Sequence, residues 1–388
     1  MRITDIRERT IAVSRYADPS IPPGGLTTSL VAVVTDAVRA GKPVVGLGFA
    51  SIGRFGQGGL IRERFAPRLL NAAPGALDDL HGDGIDPLRA WDVMMAGEKP
   101  GGHGERCVAV GALDMAVWDA AAKLAALPLY RLLADRLGRE PQSRVRVYAG
   151  GGYRYPHDDI ARLAHEMRAC VDLGYTHAKI KIGGVAPDQD LRRIEAAAAV
   201  LPDASRLAVD AMNLYDPAQA LAAANALRSA GLWWFEDVCD PLDFATLAAV
   251  ASVYPGPLAA GEALFSAAEA KLLDAHGGLR RDRDILLFDP VHCYGLTGFL
   301  RIVDQLAARG WPRDAFWPHG GHLFCQHIVA ALGLGGAEIN PFAFGPFSGT
   351  ARGTEIVDGH VNLTQIPGIG FELHDRAGAA FRALSEAA

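Results

Sequence analysis

The sequence predicts an α/β protein in which a TIM-like barrel follows a smaller α+β unit. Strand patterns and then helical patterns occupy the first part of the chain, over roughly 130 residues, which is typical of a separate α+β unit. After residue 140, short apolar strands alternate with helices, and this alternation indicates a parallel sheet. The chain of 388 residues is also longer than one ordinary domain.

The N-terminal unit begins with three predicted strands, "RITDIRERTIAV", "SLVAVVTDAV" and "KPVVGLGFA", the last two joined through "RAGK" as a hairpin. Helical patterns follow around residues 59–73, 86–97 and 105–126. The polar, turn-rich segment "GREPQS" near residue 140 is the predicted boundary. We therefore expect an α+β domain over residues 1–138 and a barrel domain over residues 139–344.

The barrel strands are predicted in "RVRVYAGG", "HAKIKIGG", "RLAVDAMN", "LWWFEDVC", "LAAGEALF", "ILLFDPVHC", "AFWPHGG" and "INPFAF". Polar residues near the ends of six of them are spaced by 29, 26, 26, 27 and 30 residues: Lys181, Asp210, Glu236, Glu262, Asp289 and His319. Seven or eight βα units of that period form a TIM-like barrel, whose strands end at one mouth where the chemistry takes place.

Three carboxylates, those of Asp210, Glu236 and Glu262, follow consecutive strands of the predicted barrel. A single acidic residue at a strand end is usually solvated, but three in register would repel one another in a desolvated mouth. Oxygen ligands favour a hard divalent cation. The register therefore predicts a Mg²⁺ site.

Two lysines, Lys179 and Lys181, lie on one face of their strand, with Ile180 on the other. A solvated strand face would explain the pair, but barrel strands are covered on both faces. Desolvation and a nearby cation should lower the pKa of Lys181 toward working pH, so that it can act as a base.

A histidine, His319, directly follows the seventh strand, and His322 three residues later is its rival. A lone histidine is often a structural residue. The position of His319 and the proximity of Asp289, which can orient its imidazole, favour a catalytic role.

Composition excludes several classes of function. The net charge of −6, with no basic cluster, argues against nucleic-acid binding, and no segment is long enough for a membrane helix. Five scattered cysteines without CxxC spacing indicate reduced thiols, and the N-terminus lacks an apolar signal region, so we expect a cytoplasmic location.

These motifs resemble the enolase superfamily in its mandelate racemase branch. The resemblance covers essentially the whole chain, through "KIK", the three carboxylates, "FDP" and "PHGGH". Segments such as "GRFGQGGLIRERFA" and "EKPGGHGER" are similar to D-tartrate dehydratases and other acid-sugar dehydratases. The resemblance implies a modified (β/α)7β TIM barrel with an α+β capping domain, to which residues 345–388 return.

The resemblance also implies roles for the site residues. Asp210, Glu236 and Glu262 would bind Mg²⁺, and Lys181 and His319 would flank the substrate as base and acid. Lys179 would contact the substrate carboxylate and stabilise the enediolate, and Asp289 would support His319.

Substrate specificity is expected to come from capping-domain loops around residue 25 and at 50–55 and 97–106. Arg54, Lys99 and His103 could hold a distal carboxylate, and His322 is a further candidate contact. Ile52 and Met212 stand where the similar tartrate dehydratases have polar or smaller residues, so the acid recognised is expected to differ.

The resulting prediction is a Mg²⁺-dependent dehydratase that removes the α-proton of a small hydroxy-diacid or acid sugar, D-tartrate first, and eliminates β-hydroxide to form a 2-keto acid. A racemase or epimerase and a non-catalytic barrel homologue are the alternatives. The expected partners are a small hydroxy acid and further copies of the chain in a homo-oligomer.

Overall fold

The computed structural model describes residues 1–347 and 349–387. An antiparallel three-stranded sheet of order β1-β2-β3 opens the chain, and its hairpin joins β2 to β3 as predicted. Its strands are β1 (Ile3–Ala12), β2 (Thr27–Arg39) and β3 (Lys42–Phe49). Helices follow this sheet, so the N-terminal unit has the expected α+β order.

The barrel strands run parallel in the order β10-β4-β5-β6-β7-β8-β9. They are β4 (Arg144–Gly150), β5 (Ala178–Lys181), β6 (Leu207–Asp210), β7 (Phe235–Glu236), β8 (Leu258–Ala260), β9 (Ile285–Leu286) and β10 (Ala337–Ile339). Phe316 occupies the seventh position: it forms a parallel bridge with Leu286, and its carbonyl accepts a hydrogen bond from the Gly335 amide at 3.0 Å. The sheet therefore closes into a barrel, and the (β/α)7β prediction is confirmed.

Seven helices, α6 to α12, connect the barrel strands among the described residues. The α-helices are α1 (Gly58–Leu60), α2 (Ala66–Leu70), α3 (Pro87–Met95), α4 (Glu105–Leu124), α5 (Leu129–Arg136), α6 (Asp159–Asp172), α7 (Pro187–Ala198), α8 (Pro217–Ala226), α9 (Phe244–Val253), α10 (Ala267–His276), α11 (Gly295–Ala307), α12 (Leu323–Leu332) and α13 (Gly378–Glu386). A π-helical turn covers Ile61–Phe65, and 3-10 turns cover Ala204–Arg206, Arg313–Ala315 and Phe371–Leu373. A short antiparallel hairpin, β11 (Ile356–Val357) and β12 (His360–Asn362), pairs with β4.

The eighth barrel strand does not lie in "INPFAF", where the sequence predicted it. The strand is β10, which ends at Ile339, and the chain leaves the sheet at Asn340. Two glycines precede β10, and a Cβ at either one would overlap atoms of Trp317, so the chain enters the barrel close to that indole.

Two contacts join the N-terminal sheet to other parts of the chain. Helix α4 lies against β3, where Gly46 and Gly48 leave no room for a side chain between the two backbones. Helix α13 packs on β2, and its Phe381 lies 6.4 Å from the ring of Phe49. The domain bounds 1–138, 139–344 and 345–388 stay a prediction.

A layer of aromatic side chains fills the barrel interior. Tyr148, Trp234 and Trp317 are buried, with ring centroids 5.2–5.9 Å apart. The Trp234 indole donates a hydrogen bond of 2.8 Å to Glu236, so this layer lies directly against the strand-end carboxylates.

All five cysteines are buried and unpaired, as predicted for reduced core thiols. Within the described residues, no helix has the length and apolar composition needed to span a membrane.

Candidate active site

The three predicted carboxylates come together at the barrel mouth. Asp210 and Glu236 are the last residues of β6 and β7, and Glu262 follows β8 by two residues. One oxygen from each lies within 4.8 Å of the others. Glu262 Oε2 is buried and has no hydrogen-bond partner among the described residues. An oxygen-only donor set with an unsatisfied buried carboxylate oxygen fits a Mg²⁺ ion.

The backbone after β6 orients Asp210. The Met212 amide donates a hydrogen bond of 2.7 Å to Asp210 Oδ1, which leaves Oδ2 facing the lysines. Met212 and Asn213 both have left-handed backbone conformations, with φ of 51° and 58°. The turn thus presents a main-chain N–H to the carboxylate.

Lys179 and Lys181 both point toward this carboxylate group, as their alternation in β5 predicted. Lys179 Nζ lies 2.6 Å from Glu236 Oε1 and 3.9 Å from Asp210 Oδ2, and Lys181 forms an ion pair with Asp210. Lys179 is 1% exposed, so its charge depends on these partners.

The predicted fall in the pKa of Lys181 is not found. Burial by itself lowers the pKa, but Asp210 raises it above the ordinary value. Glu236 and Glu338 likewise outweigh the burial of Lys179 and raise its pKa. The carboxylate that would bind a cation is thus the one that keeps Lys181 protonated.

His319 and Asp289 form the expected pair. His319 Nδ1 lies 2.9 Å from Asp289 Oδ2, and Nε2 lies 3.4 Å from Glu262 Oε2. Burial lowers the pKa of His319, but Glu262 and Asp289 raise it to about 9. Asp289 is buried, yet His292 and His319 hold its pKa below the usual range. The ring is therefore oriented with Nε2 toward the carboxylate group.

Sequence reasoning missed Glu338 in β10. Its side chain is buried, with Oε1 3.6 Å from Lys179 Nζ and with Oε2 lacking a hydrogen-bond partner among the described residues. Lys179 overcomes burial and lowers the pKa of Glu338. Glu338 follows His319 by 19 residues, well short of the period of 26–30. The available signal was the apolar segment "GGAEIN".

The predicted substrate contacts separate into two groups. The Arg54 guanidinium stacks 4.7 Å from the ring centroid of Phe265, three residues after Glu262, so Arg54 lies near the mouth. Lys99 is exposed and lines a cavity of about 540 Å³ with His103 and Tyr294, a cavity whose lining includes neither Lys181 nor His319.

The remaining two, Ile52 and His322, are buried. Ile52 belongs to the main hydrophobic core. His322 Nε2 lies 3.2 Å from Ser51 Oγ, and its ring packs edge-on against Phe49 at 4.9 Å. Of the two candidate histidines, His319 is the one paired with Asp289.

Comparison with known proteins identifies the family. Residues 162–377, more than half of the chain, match the family described as enolase C-terminal domain-like. The chain belongs to the enolase superfamily. This confirms the resemblance found in the sequence.

Within the enolase superfamily, the chain is similar to proteins named as acid-sugar dehydratases. It is 28% identical to arabinonate dehydratase of Saccharolobus solfataricus, over 74% of this chain and 75% of the relative. It is 27% identical to L-talarate/galactarate dehydratase of Salmonella typhimurium, over 89% of this chain and 82% of the relative.

Solved structures give the same family. A mandelate racemase/muconate lactonizing enzyme from Polaromonas sp. JS666 superimposes with a TM-score of 0.75 at 27% identity, covering 97% of this chain and 96% of that one. L-Talarate dehydratase of the same organism, solved with Mg and L-glucarate, gives a TM-score of 0.71 at 26% identity with the same coverage.

Proposed function

We propose that the protein is a Mg²⁺-dependent hydro-lyase that dehydrates an acid sugar. The observation that carries this proposal is the order of groups at the mouth: Lys181 contacts Asp210 at one end of the carboxylate row, and His319 contacts Glu262 at the other. A candidate metal site between a lysine and a histidine suits removal of a proton and departure of a hydroxyl group. The dehydratases among the relatives support the same chemistry.

Asp210, Glu236 and Glu262 would hold the Mg²⁺ ion. Bound there, Mg²⁺ would supply positive charge to the carboxylate of the substrate. When Asp210 gives its oxygen to a cation, Lys181 loses the partner that raises its pKa. Lys181 can then accept the proton α to the carboxylate.

His319 would protonate the departing β-hydroxyl. Its Nδ1–H donates to Asp289, so Nε2 is the atom presented to the mouth. The carboxylate of Asp289 favours the charged imidazolium, which is the form that a general acid needs. Lys179, held beside Glu236 and Glu338, would stabilise the negative charge that develops on the substrate carboxylate.

The substrate class within the acid sugars is proposed as a small hydroxy-diacid such as D-tartrate. Arg54 supports this choice because its guanidinium lies beside Phe265 near the mouth and can pair with a second carboxylate. The relatives include a dehydratase named for a monoacid and another named for diacids, so matched mono- and diacids should be compared.

The test is a screen of mono- and diacid sugars for 2-keto acid formation by the Mg²⁺-loaded protein. Lys181→Ala and His319→Asn should each lower the rate with the best substrate by about 10²–10⁴-fold, the usual contribution of a general acid or base. Both variants must remain folded and bind Mg²⁺. Full dehydration by either variant would contradict the assigned roles.

Racemisation or epimerisation is the second candidate, because a lysine and a histidine on either side of a site can also remove and return the same proton. This reaction would exchange solvent deuterium into recovered, inverted substrate without forming a keto acid. Formation of keto acid would instead support the dehydratase.

A further inference from the structure

The hydroxyl of Ser51 joins the N-terminal unit to the His319–Asp289 pair. Ser51 follows β3 in the loop 50–55, and its side chain is fully buried. Its Oγ donates a hydrogen bond of 2.7 Å to Asp289 Oδ2. The same oxygen accepts the Nδ1–H of His319 at 2.9 Å. A residue 238 positions away in sequence therefore shares the carboxylate oxygen that orients the candidate acid.

The proton positions in this group follow from counting donors. Ionised Asp289 can only accept, so the single hydrogen of the Ser51 hydroxyl must point to it. Ser51 Oγ then accepts from His322, whose Nε2 lies 3.2 Å away. His322 is thus assigned as the Nε2–H tautomer, and the chain of hydrogen bonds runs from His322 through Ser51 to Asp289.

The backbone of Ser51 gives a second, independent observation. Its φ of 57° is in the left-handed region, which glycine adopts readily and other residues adopt at a cost. The Ser51 carbonyl accepts a hydrogen bond of 2.9 Å from Thr28 Oγ1, which helps to hold this conformation. A serine in a position better suited to glycine indicates that its hydroxyl is used.

The other donors to Asp289 come from the barrel. The amides of Val291 and His292 donate to Oδ1 at 2.7 and 3.2 Å, and His319 donates to Oδ2. Ser51 supplies the donor from the N-terminal unit. Asp289 therefore has this full set of donors only when the loop 50–55 lies on the barrel.

We propose that Ser51 is a positioning residue: its hydroxyl fixes the Asp289 carboxylate, and through it the ring of His319, while the loop 50–55 covers the mouth. This reading of His319 as the acid rests on the proposed function. Displacement of the loop removes the Ser51 hydrogen bond and frees the carboxylate to rotate. The acid is then correctly oriented only in the covered site.

The kinetic test is Ser51→Gly in the Mg²⁺-loaded protein, because glycine relieves the left-handed strain while it removes the hydroxyl. We expect kcat to fall about 10–100-fold, the range seen when the partner that orients a histidine is lost, with KM and Mg²⁺ affinity nearly unchanged. Ser51→Cys keeps a weak donor and should recover part of kcat. An unchanged kcat, a loss confined to KM, or equal rates for the two variants would overturn the proposal.

A measurement without substrate separates this proposal from the proposed function. In Mg²⁺-loaded protein labelled with ¹⁵N-histidine, the Nδ1–H signal of His319 is the one lost in His319→Asn. It should exchange slowly in the wild type and faster in Ser51→Gly, whereas the exposed control Ser252→Ala should leave it unchanged. Equal exchange in the wild type and Ser51→Gly would overturn the proposal even if dehydration is observed. Failure to find a dehydration substrate would leave this test intact.

Discussion

At the residue scale, Glu338 is the member of the mouth whose role is least constrained by its partners. One of its oxygens faces Lys179 at 3.6 Å, and the other is buried without a hydrogen-bond partner among the described residues. A buried polar atom without a partner carries a free-energy cost, which a bound ligand can remove. Glu338 is therefore placed to contact a substrate beside Lys179.

Glu338→Gln should lower kcat/KM about 10–100-fold, since a hydrogen bond to a charged group contributes roughly 1.5–3 kcal/mol. Mg²⁺ affinity should change little, because Glu338 is outside the group formed by Asp210, Glu236 and Glu262. Steady-state kinetics and a Mg²⁺ titration of the same preparation check the two halves. Unaltered turnover would show that Glu338 serves only to pair Lys179.

The site residues that the sequence predicted are those that the barrel repeat brings together. Strand ends at a regular period must meet at one mouth, so Asp210, Glu236, Glu262 and His319 could be found without coordinates. Ser51 could not, because its contact with Asp289 depends on how the N-terminal unit lies on the barrel. The direction of the pKa shift of Lys181 also required the actual ion pair with Asp210.

At the element scale, the contact between β3 and α4 depends on two glycines. A Cβ at Gly46 would overlap the Ala116 carbonyl oxygen and lie 2.6 Å from the Ala120 amide nitrogen. Both neighbours are helix backbone and cannot move aside as a side chain could. The loop that carries Ser51 begins at the end of this strand, so the contact also fixes where that loop starts.

Gly46→Ala should lower the free energy of unfolding by about 1–3 kcal/mol, the usual cost of overpacking. Urea denaturation followed by circular dichroism measures the change. Gly59→Ala is the matched control, since a Cβ at Gly59 would have no neighbour within 4 Å. Equal midpoints for the two variants would mean that β3 and α4 separate at little cost.

The eighth strand shows where pattern reading failed among the elements. The last βα unit is short: helix α12 begins four residues after His319, and β10 begins five residues after α12 ends. A period of 26–30 residues therefore placed the strand too late, in "INPFAF". The preceding units fitted the period because their loops and helices are longer.

At the scale of the whole molecule, Asp114 lies at the junction of the N-terminal unit and the barrel. This buried residue of α4 accepts a 2.9 Å hydrogen bond from the Thr297 hydroxyl of α11. Burial raises the pKa of Asp114 to about 7, despite the opposing effect of Thr297. Because this pKa exceeds the unfolded value of 3.8, stability falls as pH rises between the two values and is constant above them.

Asp114→Asn should remove this pH dependence while it keeps an acceptor for Thr297. Relative to the wild type, the free energy of unfolding of the variant should increase by about 3 kcal/mol between pH 5 and pH 8. Denaturation curves of both proteins at the two pH values give the difference. A difference that does not change with pH would place the proton elsewhere.

The aromatic layer inside the barrel has an optical consequence. The Trp234 indole is hydrogen-bonded to Glu236, one of the three candidate ligands, and Trp317 lies 5.7 Å away. A cation that draws charge from Glu236 changes the electric field on this indole, and tryptophan emission responds to such fields. The molecule thus carries its own fluorescent reporter of metal occupancy, with no dye or label attached.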